Sequence, residues 1–239
     1  MHRNAPRNAP RRAKTVRNSL ACAAVALPVL LVAGCSSDSD GGKEADSPPA
    51  SSSKPTPTAA PAKFKSLPDS CKSLGKGTVK DLVPKSDNEA GKRVGSGDTS
   101  DSNSCLWSGL DKYDYRQLTV SLKRFDSDTS LGSGDKRAAK YMEQQADEIS
   151  GSKDNKNTKE TKVAGVGNQG TAIAYEAKKK DAKGKAEDFR AERLVVRSAN
   201  AVVTVDYEGT GFEGSKLPSA NDLKKKAEKA AKETLTHLK

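Results

Sequence analysis

Histidine is almost missing from this chain: two stand among its 239 residues, and only His237 lies beyond the second position. Zinc sites and Ser–His or Cys–His hydrolases need imidazole as ligand or base, so neither finds its usual materials here. Aromatic residues make up 4%, too few for the stacking platforms of nucleic-acid binding, and a nucleic-acid partner is not expected. Cysteine occurs four times and never as CxxC. There is no Gly-x-Ser-x-Gly and no evident internal repeat. The longest apolar run, residues 20–32, is interrupted only by Pro28 and falls short of the about 20 residues that a spanning helix needs.

What stands around that run is informative. Arg3, Arg7, Arg11, Arg12, Lys14 and Arg17 precede it without a single acid, and a basic start followed by a short apolar run reads as an export signal. It ends in Val32-Ala33-Gly34-Cys35. Small residues before the cut suit a peptidase groove, and the cysteine supplies a thiol able to receive a diacylglycerol. This segment resembles the lipobox of bacterial lipoproteins, with Val32 where leucine is more usual. The resemblance implies a signal peptide over residues 1–34, cleavage before Cys35, and lipid on Cys35. A membrane lipid is thus the first expected partner, and the expected location is the outer face of the cell membrane. Arg11-Arg12 invites a twin-arginine export route, but Ala13-Lys14-Thr15 lacks the apolar pair that should follow. Ser36 after the cysteine gives no sign of inner-membrane retention.

Cleavage would remove 34 residues and six of the 42 basic side chains, leaving 205 residues and lowering the formal charge from +11 to +5. Such a surface is weakly attractive to anionic lipid or wall polymers. Cys22 would leave with the signal and Cys35 would carry lipid. Cys71 and Cys105 remain as a pair in an oxidising compartment, where a disulfide is expected. Residues 35–63 form the expected lipidated tether: 36–62 hold no large apolar side chain and cannot bury enough surface to fold. At coil dimensions the tether reaches about 30 Å.

Residues 64–239 are expected to form one domain. A short helix is read over 70–83, stopped by Pro84, and a polar mobile loop over 85–103. Cys105-Leu106-Trp107 opens a strand. In 116–125, Leu118, Val120 and Leu122 alternate with polar residues, the strand pattern. Residues 135–149 read as a helix with Ala138, Met142, Ala146 and Ile149 on one stripe and Asp135 as N-cap. A charged loop over 150–160, strands at 162–166 and 170–177 joined through Gly167-Asn168-Gln169, and a lysine loop over 178–185 follow. Strands at 188–197 and 201–207 form a hairpin through Ser198-Ala199-Asn200, with Asn200 expected at positive φ. A last helix opens at Leu217-Pro218-Ser219, with Ser219 and Asp222 as a capping-box-like pair and an apolar stripe from Leu223 to Leu238. Short links between strands argue an antiparallel sheet. The fold class expected is α+β, with about three helices packed mainly on one face and one disulfide.

Cys71 before a short helix, Cys105-Leu106-Trp107 after a polar loop, Val163-Ala164-Gly165-Val166-Gly167-Asn168 before a strand, the hairpin around Arg197 and the closing helix together resemble actinobacterial (Streptomyces-type) lipoproteins of unassigned function. These are similar to the extracellular sensor domain of the mycobacterial kinase PknH. The resemblance implies an antiparallel sheet with helices, a Cys71–Cys105 bridge and an envelope location, and it carries over no catalytic residues.

Other motifs yield little chemistry. Gly209, Gly211 and Gly214 match G-x-G-x-x-G, but a dinucleotide site needs a helix opening inside the glycines, and here Pro218 precedes a late helix. The glycines read as a flexible turn. Asp147-Glu148 and Glu187-Asp188 are sequence neighbours whose carboxylates point apart. Trp107, Tyr113 and Tyr115 flank a turn and could line a groove, although Trp107 beside Cys105 suits packing on the bridge better. No cofactor and no metal are expected. The leading functional expectation is a non-enzymatic, membrane-anchored binding or interaction module of the envelope, partnered by an envelope ligand or an exported protein. An extracytoplasmic hydrolase of unrecognised type is the alternative from another class, and an accessory or inhibitor lipoprotein a third.

Overall fold

A computed structural model describes residues 59–95, 99–180 and 184–239. The expected signal peptide, Cys35 and most of the expected tether lie outside the described residues. Cys71 and Cys105 are joined as a disulfide, their Cα atoms 5.0 Å apart.

The element order opens with a 3-10 turn, Ser70–Lys72, and helix α1, Lys76–Leu82. Strands β1, Lys92–Val94, β2, Ser102–Asp111, and β3, Asp114–Arg124, come next, then helix α2, Gly134–Ser150. Strands β4, Asn155–Val163, β5, Gln169–Lys180, β6, Ala186–Ser198, and β7, Ala201–Gly211, precede helix α3, Ala220–Leu235. The strands form one seven-stranded sheet in the order β1-β2-β3-β7-β6-β5-β4, antiparallel at every pairing. The fold is α+β, as the pattern of short links between strands foretold.

Side-chain alternation assigns each strand two faces. Leu118, Val120, Leu122, Leu194, Val196, Val203, Val205 and Tyr207 look one way and meet α1 and α3 through Val79, Leu82, Leu223, Ala227, Ala230 and Ala231. The small residues of α3 let the helix lie close on the sheet. The Tyr207 hydroxyl donates to the Leu82 carbonyl, satisfying one of the orphan acceptors at the end of α1. Val195, Val202 and Ile173 look the other way and meet Ala138, Met142, Ala146 and Ile149 of α2. Thus α1 and α3 share a layer, while α2 covers the opposite face. An apolar stripe shows that a helix has a buried side; it does not show which side of the sheet receives it.

Several local expectations change. The 70–83 segment is a 3-10 turn and a separate helix. Ser133, not Asp135, caps α2, its Oγ accepting from the Lys136 amide at 3.4 Å; Asp135 instead lies in the first turn, where its charge suits the helix dipole. Ser219 is the N-cap of α3 but makes no side-chain capping bond. The loops expected at 85–103 and 150–160 contain β1 and most of β4, and the 178–185 loop gives its first three residues to β5. At the β6–β7 turn the positive φ falls on Ala199 (47°). The Asn200 amide is instead committed inside: Oδ1 accepts from the Phe64 amide at 2.8 Å, and Nδ2 donates to the carbonyls of Phe64 (2.8 Å) and Phe125 (2.9 Å). This clasp fastens the start of the domain to the sheet.

Candidate functional site

Helix α2 lies over β4 to β7, and among the described residues no helix covers the same face of β2 and β3. Strand register arranges the open face in rows. Ser104, Ser121 and Thr204 form one row, Leu106, Thr119 and Asp206 the next, and Ser108, Gln117 and Glu208 a third. Leu110, Tyr115 and Thr210 close the series. On β2 and β3 these side chains are half-buried, except Leu110, which is 48% exposed. Where the flank of α2 meets the sheet, Tyr141 and Gln145 wall a cavity of about 170 Å³ with Ser102, Ser104, Ser121, Lys123, Arg193, Thr204 and Asp206.

The wall is braced by charge pairs. Arg193 binds Asp206 through Nε (2.6 Å) and a second nitrogen (3.3 Å) and reaches Glu148 of α2 at 3.2 Å. Burial works against the Arg193 charge, but the two carboxylates outweigh it and raise its pKa. A fork-on-carboxylate pair fixes both partners. Desolvation pushes the Tyr141 hydroxyl above its ordinary pKa, so it stays protonated and able to donate. Farther along, Lys179 pairs with Glu208, Gln117 donates to Glu208 at 3.2 Å, and the Tyr115 hydroxyl donates to Gln117 at 2.9 Å. The Tyr115 ring meets Phe189 edge-on and Phe212 at a tilt, with both centroid distances 6.1 Å. The open face therefore runs from hydroxyls beside α2 to an aromatic end near the β2–β3 hairpin.

Trp107 belongs to the other face. It is 1% exposed, and its Nε1 donates to the Glu89 carbonyl at 3.2 Å. A Cβ built on Gly91 (φ 73°) would lie 2.4 Å from the Cys105 sulfur and 2.7 Å from the indole. Gly91 thus seals bridge and Trp107 together, whereas Tyr115 lies across the sheet and Tyr113 is 54% exposed. The three aromatics share no groove. Gly209 and Gly211 are strand residues of β7, not turn residues; a Cβ there would collide with the Tyr115 carbonyl (2.6 Å) and with Ser215 (2.5 Å). Close packing accounts for both. Of the acidic neighbours, Glu148 serves Arg193, Asp188 pairs with Lys178 and Glu187 with Lys185, while Asp147 is exposed. His237 is exposed at the chain end. Among the described residues no cluster of three or more His, Cys, Asp or Glu is placed to hold a metal ion.

One buried acid escaped notice in the sequence. Glu192 is 2% exposed on the face under α3. Desolvation raises its pKa to about 7, with Lys224 opposing and Glu228 adding to the shift. A perturbed carboxyl can mark catalysis, but Glu192 faces packed helix and lines none of the cavities described here. The only hint in the sequence was a glutamate in register with Leu194 and Val196.

No curated protein and no solved structure matches this chain. The model of one family, proteins of unknown function designated DUF3558, matches residues 30–215. That span covers most of the chain, including every strand of the sheet, and the chain belongs to the DUF3558 family.

Proposed function

We propose that this chain is a lipoprotein anchored through Cys35 on the outer face of the membrane, and that its domain is a non-enzymatic module binding an envelope ligand on the half-open sheet face. The observation that carries the binding reading is the partial cover by α2. A face of half-buried hydroxyls, amides and paired charges, with a small cavity at its helical wall and aromatics at its far end, has the mixed polar and apolar make-up of a ligand site. The Cys71–Cys105 bridge accords with an exported chain, and the family match takes in Cys35. In this reading the domain is the ligand-receiving part of an envelope module, in the location that the resemblance to the PknH extracellular domain implies.

Two measurements test it. The full chain should fractionate with membranes and be released by detergent, while Cys35→Ala should appear in the medium; a Cys35→Ala chain that stays membrane-bound rejects the anchor. Hydrogen exchange of the full chain should slow on β2, β3, β7 and α2 when a solubilised cell-wall digest is added. The protection should vanish in Thr119→Arg, which fills the open face. Protection confined elsewhere, or unaffected by that substitution, rejects the binding face.

A further inference from the structure

The cavity beside α2 contains a cation that its wall does not cancel. The Lys123 ammonium lies 5.4 Å from the Tyr141 ring centroid and 5.8 Å from that of Phe125, and it forms no ion pair among the described residues. Two ring faces hold it in place without neutralising it, as cation–π contacts do. Arg137 adds a second cation over the Phe125 ring at 5.6 Å. The other two charges in the wall match each other, Arg193 against Asp206, and the remaining arm of Arg193 reaches Glu148, an exposed carboxylate outside the wall.

Hydroxyls complete the wall. Ser104 donates to Ser121 at 2.8 Å, and one hydrogen bond between two hydroxyls leaves one of their protons to give. Thr204 and the protonated Tyr141 supply further hydroxyls. Ser121 and Thr204 stand side by side on β3 and β7, and Tyr141 lines the same cavity from α2. A carboxylate, flat and two-pronged, suits a guanidinium fork, and the fork here is occupied. Separate hydroxyl donors around an ammonium suit the spread oxygens of a tetrahedral anion.

Resting on the binding reading above, we propose that this cavity receives the phosphate of a small hydroxyl-bearing phosphate ester, with Lys123 as countercharge and Ser121, Thr204 and Tyr141 as hydrogen-bond donors. The volume admits the phosphate and a few carbons; the rest of the ligand would lie along the open rows of β2 and β3.

The test is calorimetric titration of the full chain in nonionic detergent with glycerol 3-phosphate, inorganic phosphate and glycerol. Saturable binding is expected for both phosphates and none for glycerol. Lys123→Gln should weaken binding by about tenfold, the worth of a charge-assisted contact, and Ser121→Ala by a few-fold. Lys140→Gln, an exposed α2 lysine outside the cavity, should change nothing. Vesicles of phosphatidylglycerol form the second arm: competition by them assigns the phosphate to a headgroup, and its absence assigns it to a soluble or wall-borne ester. Equal binding of glycerol, an unchanged affinity in Lys123→Gln, or no saturable binding of either phosphate overturns the proposal. Should wall digest still protect the open face in that last case, the phosphate assignment falls while the binding face stands.

Discussion

Two single residues set measurable terms of stability. Glu192 holds its proton more tightly in the folded chain than in the unfolded one, because burial under α3 disfavours the charge. Between the ordinary glutamate pKa and about 7 the folded state therefore binds the extra proton, and stability falls as pH rises through that window. Glu192→Gln should leave stability near pH 4 almost unchanged, flatten the decline, and gain up to about 3 kcal/mol by pH 8. Chemical denaturation at both pH values reads this directly, and an equal shift at both would place the effect elsewhere. Asn200 has the opposite value. Asn200→Ala removes three hydrogen bonds, two buried and one part-buried, and strands the backbone groups of Phe64 and Phe125, so a loss of about 3 kcal/mol is expected in the same measurement. Neither residue announces itself in the chain: Glu192 is one of several charged residues between Glu187 and Arg193, and Asn200 looks like an ordinary turn residue.

At the scale of elements, the bridge is the clearest lever. It ties the 3-10 turn to β2 across a sequence separation of 34, and loop-closure entropy gives it about 4 kcal/mol on the chain-entropy model. Reduction should lower the thermal midpoint by many degrees and loosen Trp107, which is buried beside Cys105. The single-tryptophan emission should report the two events together; a red shift preceding unfolding would show the bridge region melting alone. The elements differ in how plainly they show in sequence, for physical reasons. β3 sits inside the sheet with one face against helices and is marked by alternation, while β6 and β7 lie under helices on both faces and are marked by apolar runs. β4 is an outer strand, exposed along nearly all of its length; it needs no apolar residues and resembles a charged loop. β1, exposed throughout, hides in the same way. The rows of the open face were illegible for another reason. Ser121 and Thr204 lie far apart in sequence, and only the pairing of β3 with β7 makes them neighbours. Disulfide partner and helix stripes could be read because each depends on residue type alone.

Over the described residues the molecule is a sheet with two unlike sides, one closed by α1 and α3 and one half-covered by α2. Its outermost strands guard themselves. β4 exposes lysines and carries a register shift between Lys156 and Lys159, features that discourage pairing with another chain. Hydrogen exchange should accordingly be slowest in β6 and β7, held on both sides, and fastest in β1 and β4; slow exchange in β4 would mean that something pairs with its free edge. The Asn200 clasp has a mechanical corollary. In an anchored chain, tension arriving along the tether meets the fold at Phe64 and passes to the turn between β6 and β7, next to the middle strand of seven. Load is thus shared by strands with neighbours on both flanks, rather than peeling an outer strand bond by bond. A domain anchored in this way would be held at the end of its middle strands, with the outer strands β1 and β4 away from the point of attachment.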